Sequence, residues 1–165
     1  MNSFSMRLCV LCFVFSPCLL GCGASPPTPE EKIVGKWTGS MRIDMEKLKE
    51  MTKDNLAEQI MLQATAPAMA KDSKMTYEFS ASGTVTKLFE LPKSPLTGEP
   101  ESSRWSGSWK VISADEGMFV VENSYTEAPL DPTSPIIETC EIQFDAENAD
   151  ACVIFQAFEI YDLTR

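Results

Sequence analysis

Few residues in this chain can carry chemistry. None of its 165 residues is histidine. That removes Ser-His-Asp and Cys-His nucleophilic sites and imidazole-based metal sites. Neither an S-x-x-K nor a G-x-S-x-G spacing occurs. Carboxylates are plentiful, with 24 Asp and Glu, but no pair is singled out, and solvated surface charge accounts for them. The acidic run Asp145, Glu147, Asn148, Asp150 has oxygen atoms at near-alternate spacing. It does not follow the EF-hand pattern and reads as a hairpin turn. Of the six cysteines, Cys9, Cys12 and Cys18 fall in an apolar N-terminal run that Cys22 closes. Cys140 and Cys152 lie twelve apart, on what read as neighbouring strands. They can pair across the strands as a disulfide or remain two buried thiols. With no other cysteine in that region, the reading is of no metal and no cofactor. Met41, Met45, Met51, Met61, Met69 and Met75 gather around one helical stretch, but without the M-x-M or M-x-x-M runs of a Cu(I) site. They read as core or lid packing, or as an adaptable face for a ligand or partner.

The elements that position these residues begin at the N-terminus. Arg7 is the one charge before an apolar stretch of about a dozen residues, too short for the ~20 that span a bilayer as a helix. Small Gly21 precedes Cys22, and a proline-rich segment follows. Leu19-Leu20-Gly21-Cys22 resembles the bacterial lipoprotein signal. The resemblance implies cleavage after Gly21 and acylation of Cys22, hence a membrane anchor in the cell envelope. Gly23, in place of Asp after the lipidated residue, implies the outer membrane by the same resemblance. The organisation expected is a signal peptide over 1–21, a Pro-rich tether over 22–31 that Pro26, Pro27 and Pro29 stiffen, and one domain over 32–165. The formal net charge is −10. Loss of the signal removes only Arg7 and makes it more negative. Such acidity argues against nucleic acid as a partner, because neutralising phosphates takes Lys and Arg.

Within the domain, Trp37, Gly39, Met41 and Ile43 alternate as on a half-buried strand. The period then changes. Residues 44–70 predict a helical insert capped by Asp44, with Leu48, Thr52, Leu56, Ile60 and Ala64 on one stripe. Asn55 and Glu58 mark a second capping box inside it, and Pro67 stops or kinks the helix. The period of two returns over 75–80, with Met75, Tyr77 and Phe79 on one face. It continues over 84–91 after a turn at Gly83, and over 104–113, which carries Trp105, Gly107, Trp109 and Val111. Further strands are predicted over 118–122, 136–144, 151–155 and 159–165. The fold class expected is mainly β: an antiparallel up-and-down barrel of about eight strands, with one helical insert between the first and second.

Gly35-Lys36-Trp37, Phe79-Ser80-Ala81-Ser82-Gly83-Thr84, Gly107-Ser108-Trp109 and the terminal Leu163-Thr164-Arg165 resemble the lipocalin-like domains of small bacterial envelope proteins. The resemblance implies that Trp37 and Arg165 close the barrel floor through a cation–π contact. Two functions are open. One is a non-catalytic binding module that holds a small apolar ligand or lipid inside the barrel, lidded by Met45, Leu48, Met51 and Met61. The other is a structural or interaction protein whose filled barrel docks another envelope protein. Eight strands leave an interior that side chains can just fill or that holds one small ligand, and the bulk of Trp37, Tyr77, Phe79, Trp105, Trp109 and Phe119 favours a filled one.

Overall fold

The computed structural model describes residues 27–94, 97–115, 117–129 and 134–165. The expected signal peptide, the lipidation residue Cys22 and the tether up to residue 26 lie outside the described residues. Eight antiparallel strands run in sequence order and close into one barrel: β1 (Gly35–Ile43), β2 (Lys74–Phe79), β3 (Thr84–Leu91), β4 (Glu101–Asp115), β5 (Met118–Glu127), β6 (Ile136–Phe144), β7 (Ala151–Gln156) and β8 (Glu159–Thr164). Closure pairs β1 with β8 from Thr38↔Thr164 to Ile43↔Glu159, so every strand has two neighbours and no edge is left open.

Register follows from alternation. Trp37, Met41, Tyr77, Phe79, Val85, Trp109, Phe119, Val121, Ile142, Ile154, Tyr161 and Leu163 face inward and form one core. Gly83, at φ +81°, makes the β2–β3 turn that its sequence position predicts. Two strands are longer than expected. β4 starts at Glu101 because its polar first residues still pair with Leu91, Glu90 and Phe89. β5 continues to Glu127 because Asn123 faces inward and is fully buried, a polar residue where alternation calls for an apolar one.

Three helices complete the chain: α1 (Pro29–Ile33), α2 (Met45–Met51) and α3 (Leu56–Lys71). The last residues of the expected tether are therefore helical. Thr28 and Glu31 form a reciprocal capping box, with Pro29 in the first turn. α1 packs at the floor, the barrel end where β1 starts. α2 and α3 leave β1 and rejoin β2 at the opposite end, the mouth. Asp44 caps α2 by accepting from the Glu46 and Lys47 amides. Asn55 caps α3 by accepting from the Glu58 amide and donating to its carboxylate at 3.0 Å.

This second cap corrects the single stripe expected over 48–64. The break at residues 52–55 resets the helical phase. Leu48 and Thr52 stay buried, whereas Leu56, Ile60 and Ala64 turn outward, and Ala66 and Ala70 replace them against the barrel. Pro67 does not stop the helix; it sits inside α3 on the exposed side.

Candidate functional site

Two groups of side chains fill the barrel from opposite ends. At the floor, the Trp37 indole meets Phe144 edge-on at 5.5 Å between centroids, and Phe144 meets Phe119 the same way at 5.5 Å. Phe79 and Trp109 add a third edge-to-face pair at 5.3 Å. Both tryptophan N–H groups are satisfied: Trp37 donates to the Ile33 carbonyl at 2.8 Å and Trp109 to the Ser80 carbonyl at 3.1 Å. The Arg165 guanidinium lies 4.4 Å from the Trp37 ring centroid. Its Nη2 donates to the Lys32 and Val34 carbonyls at 2.6 and 3.0 Å. These bonds fasten α1 to the end of the chain. Gly35, at φ +145°, leaves the room: a Cβ there would sit 3.1 Å from Arg165 Nε.

Towards the mouth the interior turns polar. Alternation from Val85 carries Lys87 to the inner face, where its side chain is 6% exposed. Its ammonium donates to Glu138 Oε2 at 3.2 Å and to Gln156 Oε1 at 3.2 Å. It also stands over the faces of Trp105 and Tyr77, at 5.1 and 5.9 Å from their centroids. The Tyr77 hydroxyl donates to the same Gln156 oxygen at 3.0 Å. Beside this group, Asn123 Nδ2 donates to Cys140 Sγ at 3.6 Å, and the Tyr161 hydroxyl donates to the Glu159 carboxylate. The Asn123 Oδ1 and Tyr125 hydroxyl oxygens are buried with no partner among the described residues.

Around the Lys87–Glu138 pair the buried phenols and thiols are held in their protonated forms. Burial first, then the neighbouring Tyr161 and Tyr125, pushes the Tyr77 phenol up. Burial and the Glu138 carboxylate do the same to Tyr125, and burial and Glu159 to Tyr161. Burial also pushes both the Cys140 and Cys152 thiols up to about 12. At neutral pH these phenols and thiols stay protonated, and a protonated thiol is neither nucleophile nor metal ligand. Lys87 ties β3 across the lumen to β6 and β7, and Tyr77 adds β2.

The cysteines correct the disulfide alternative. Both are free and buried. The register sets Cys152 opposite Phe144, four residues along β6 from Cys140, or about 13 Å at 3.3 Å per residue. A disulfide needs Cα atoms within about 7 Å.

Of the residues singled out from the sequence, Trp37, Tyr77, Phe79, Trp109, Phe119 and Leu48 are buried, and Trp105 is half-buried over Lys87. Met51 and Met61 face solvent, and Met45 is partly exposed, so these methionines do not lid the interior. Lys87, Asn123, Tyr125, Glu138 and Gln156 went unread as interior residues. One signal was available for Lys87: it lies an even number of residues from Val85, and in the hairpin register it sits opposite Tyr77.

The larger grooves lie towards the floor, and one of about 460 Å³ has the core residues Cys152 and Leu163 in its lining. Another of about 480 Å³ runs between α1 and the β2–β3 turn, lined by Glu30, Val34, Ala81, Trp109 and Val111. A pocket of about 140 Å³ sits at the mouth beneath α3, between Met41, Ile43, Leu62, Ala66, Met69 and Phe158. Among the described residues no group of three or more Cys, Asp or Glu converges as a metal site, and no helix is long and apolar enough to cross a membrane. Comparison with protein-family models and with curated proteins finds no match to the chain.

Proposed function

We propose that the chain is a lipid-anchored protein of the bacterial cell envelope, held through Cys22, whose lipocalin-like barrel is a filled, non-catalytic scaffold that docks another envelope protein. The observation that carries this reading is the interior. Aromatic side chains interlock from Trp37 and Phe144 at the floor up to Tyr77 and Tyr161, and the Lys87–Glu138–Gln156 network occupies the space above them. A carrier site needs a concave, mostly apolar space of roughly 300 Å³ or more. The pocket beneath α3 falls short of that, the groove of about 480 Å³ has charged Glu30, Glu31 and Lys110 in its lining, and an apolar ligand reaching further in from the mouth would have to displace a buried ion pair.

Native mass spectrometry of the chain extracted from membranes in mild detergent tests the reading. The expected mass is that of the acylated protein alone, with no uptake of a hydrophobic dye by the barrel. A stoichiometric apolar small molecule that leaves on denaturation would overturn it in favour of a carrier. Cys22→Ala is expected to release the protein from the membrane fraction; retention there would refute the anchor.

A further inference from the structure

α3 is apolar on two sides. Its inner side, with Leu62, Ala66, Met69 and Ala70, packs on the barrel near β1. Its outer side carries Leu56, Ala57, Ile60, Met61, Ala64, Pro67 and Ala68, all exposed. At 3.6 residues per turn these seven fall within an arc of about 140°. Leu56 is 67% exposed and Ile60 62%, and Met51 of α2 is exposed beside them. The only charges on the helix are Glu58 in its first turn and Lys71 in its last. A contiguous apolar stripe left exposed on a helix marks an interaction surface.

The distribution of sizes along the outer stripe identifies the cover. Apart from Ala57, large side chains occupy its first half (Leu56, Ile60, Met61), and the second half carries small ones (Ala64, Pro67, Ala68) up to Lys71, which falls on the same arc at the helix's C-terminal end. We infer that this face pairs with the same face of a second copy of the chain, the two α3 helices running antiparallel about a two-fold axis near Ala64. That arrangement lays Ile60 of each copy against Ala68 of the other, so bulk fills a shallow place twice. It also brings Lys71 of one copy to the end where the other carries Glu58; parallel pairing would set like charges and like sizes together. The pairing does not depend on what the barrel interior holds.

Cysteine cross-linking in the full chain, extracted in mild detergent, tests both partner and direction. Ala64→Cys sits on the axis and is expected to link to itself, giving a dimer band absent from the unsubstituted chain, whose Cys140 and Cys152 are buried and which, on the proposed processing, has lost Cys9, Cys12 and Cys18 and carries Cys22 acylated. Leu56→Cys is expected to give none, because antiparallel pairing holds the two copies of that position about 24 Å apart, sixteen residues at 1.5 Å each. Ile60→Glu added to Ala64→Cys is expected to lower the dimer band at least tenfold while circular dichroism still shows the folded barrel, since Ile60 faces solvent in the single chain. Three results would overturn the inference: no band from Ala64→Cys, which assigns the face to a lipid surface or a different protein; equal bands at 56 and 64; or a band that survives Ile60→Glu.

Discussion

Replacing Lys87 by methionine keeps the length of the stem and removes the charge, leaving the Glu138 carboxylate without its cation. The structure sets the size of the effect. The ammonium and carboxylate are 3.2 Å apart, with the side chains 6% and 20% exposed. At an effective dielectric of 20 their attraction is about 5 kcal/mol, most of which desolvation cancels in the intact pair. Breaking such a pair by removing one partner typically costs about 3–5 kcal/mol. Glu138 keeps some access to water, so Lys87→Met is expected at the lower end, about 3 kcal/mol. Glu138→Leu strands the ammonium and is expected to cost about the same, slightly reduced by the Gln156 oxygen and the Trp105 face that Lys87 retains. The double variant buries two apolar groups in a well-packed place and is expected within about 1 kcal/mol of the parent. Urea unfolding followed by tryptophan fluorescence measures all four corners of the cycle. The reasoning is refuted if Lys87→Met costs under about 1 kcal/mol, or if the double variant loses the sum of the singles, because neither is compatible with a buried pair that holds β3 to β6.

Three further outcomes follow from the same geometry. Arg165→Ala removes the contact over Trp37 and two hydrogen bonds to α1 carbonyls, and is expected to cost about 2–3 kcal/mol in urea unfolding, with Arg165→Lys restoring less than half because it lacks the planar fork. Tyr125→Phe removes a buried hydroxyl without a partner and is expected to raise stability by roughly 1 kcal/mol; a loss of that size would show the hydroxyl to be satisfied. For pH, the two thiols have folded values near 12 against an ordinary value of 9. The folded state therefore holds their protons longer. Their contribution is complete below pH 9 and drains away as pH rises towards 12, at about 1.4 kcal/mol per pH unit per thiol. The urea midpoint should be flat through neutral pH and fall steeply above pH 9, and a Cys140→Ala, Cys152→Ala protein should delay that fall until the tyrosines begin to ionise; an unchanged onset would refute the assignment.

The barrel was legible because its outline is written in period-two alternation broken by glycine turns, and the signal survives even on a strand such as β6, whose outer face is polar. The bounds expected over 84–91 and 136–144 coincide with β3 and β6. The helical insert was legible from its composition, but its facing was not. A four-residue loop between α2 and α3 rotates one helix against the other, and the stripe that looks continuous across Thr52 in fact belongs to two faces. The interior polar network escaped for the opposite reason to the barrel. Lys87, Asn123, Glu138 and Gln156 occupy inward positions, and an alternation reading assigns polar residues outward or to loops. Lys87, Glu138 and Gln156 meet partners 51 to 79 residues away in the chain, a pairing that only barrel closure supplies. The cysteines show the same dependence: even spacing put them on one face, but the turn length, which fixes the register, set them four residues out of step.

The two ends of the barrel are unlike, and the topology separates what each can do. α1 runs directly into β1 at the floor, where Arg165 holds it by two carbonyls, so whatever precedes residue 27 leaves from that end. The six steps from Trp37 to Ile43 carry the chain about 20 Å along a strand before α2 begins. The outer face of α3 therefore stands a barrel's length from the point of departure. In the proposed anchored state the anchor joins the barrel at the floor, the end opposite the apolar helix. A spacer with those duties gains from a solid interior. Side chains that interlock across the lumen, and an ion pair joining β3 to β6 and β7, resist the ovalisation that an empty eight-stranded barrel would allow. They would keep the helix at a fixed height and orientation. The bulk inside the barrel and the bare helix at its mouth are, on this view, two requirements of the same task.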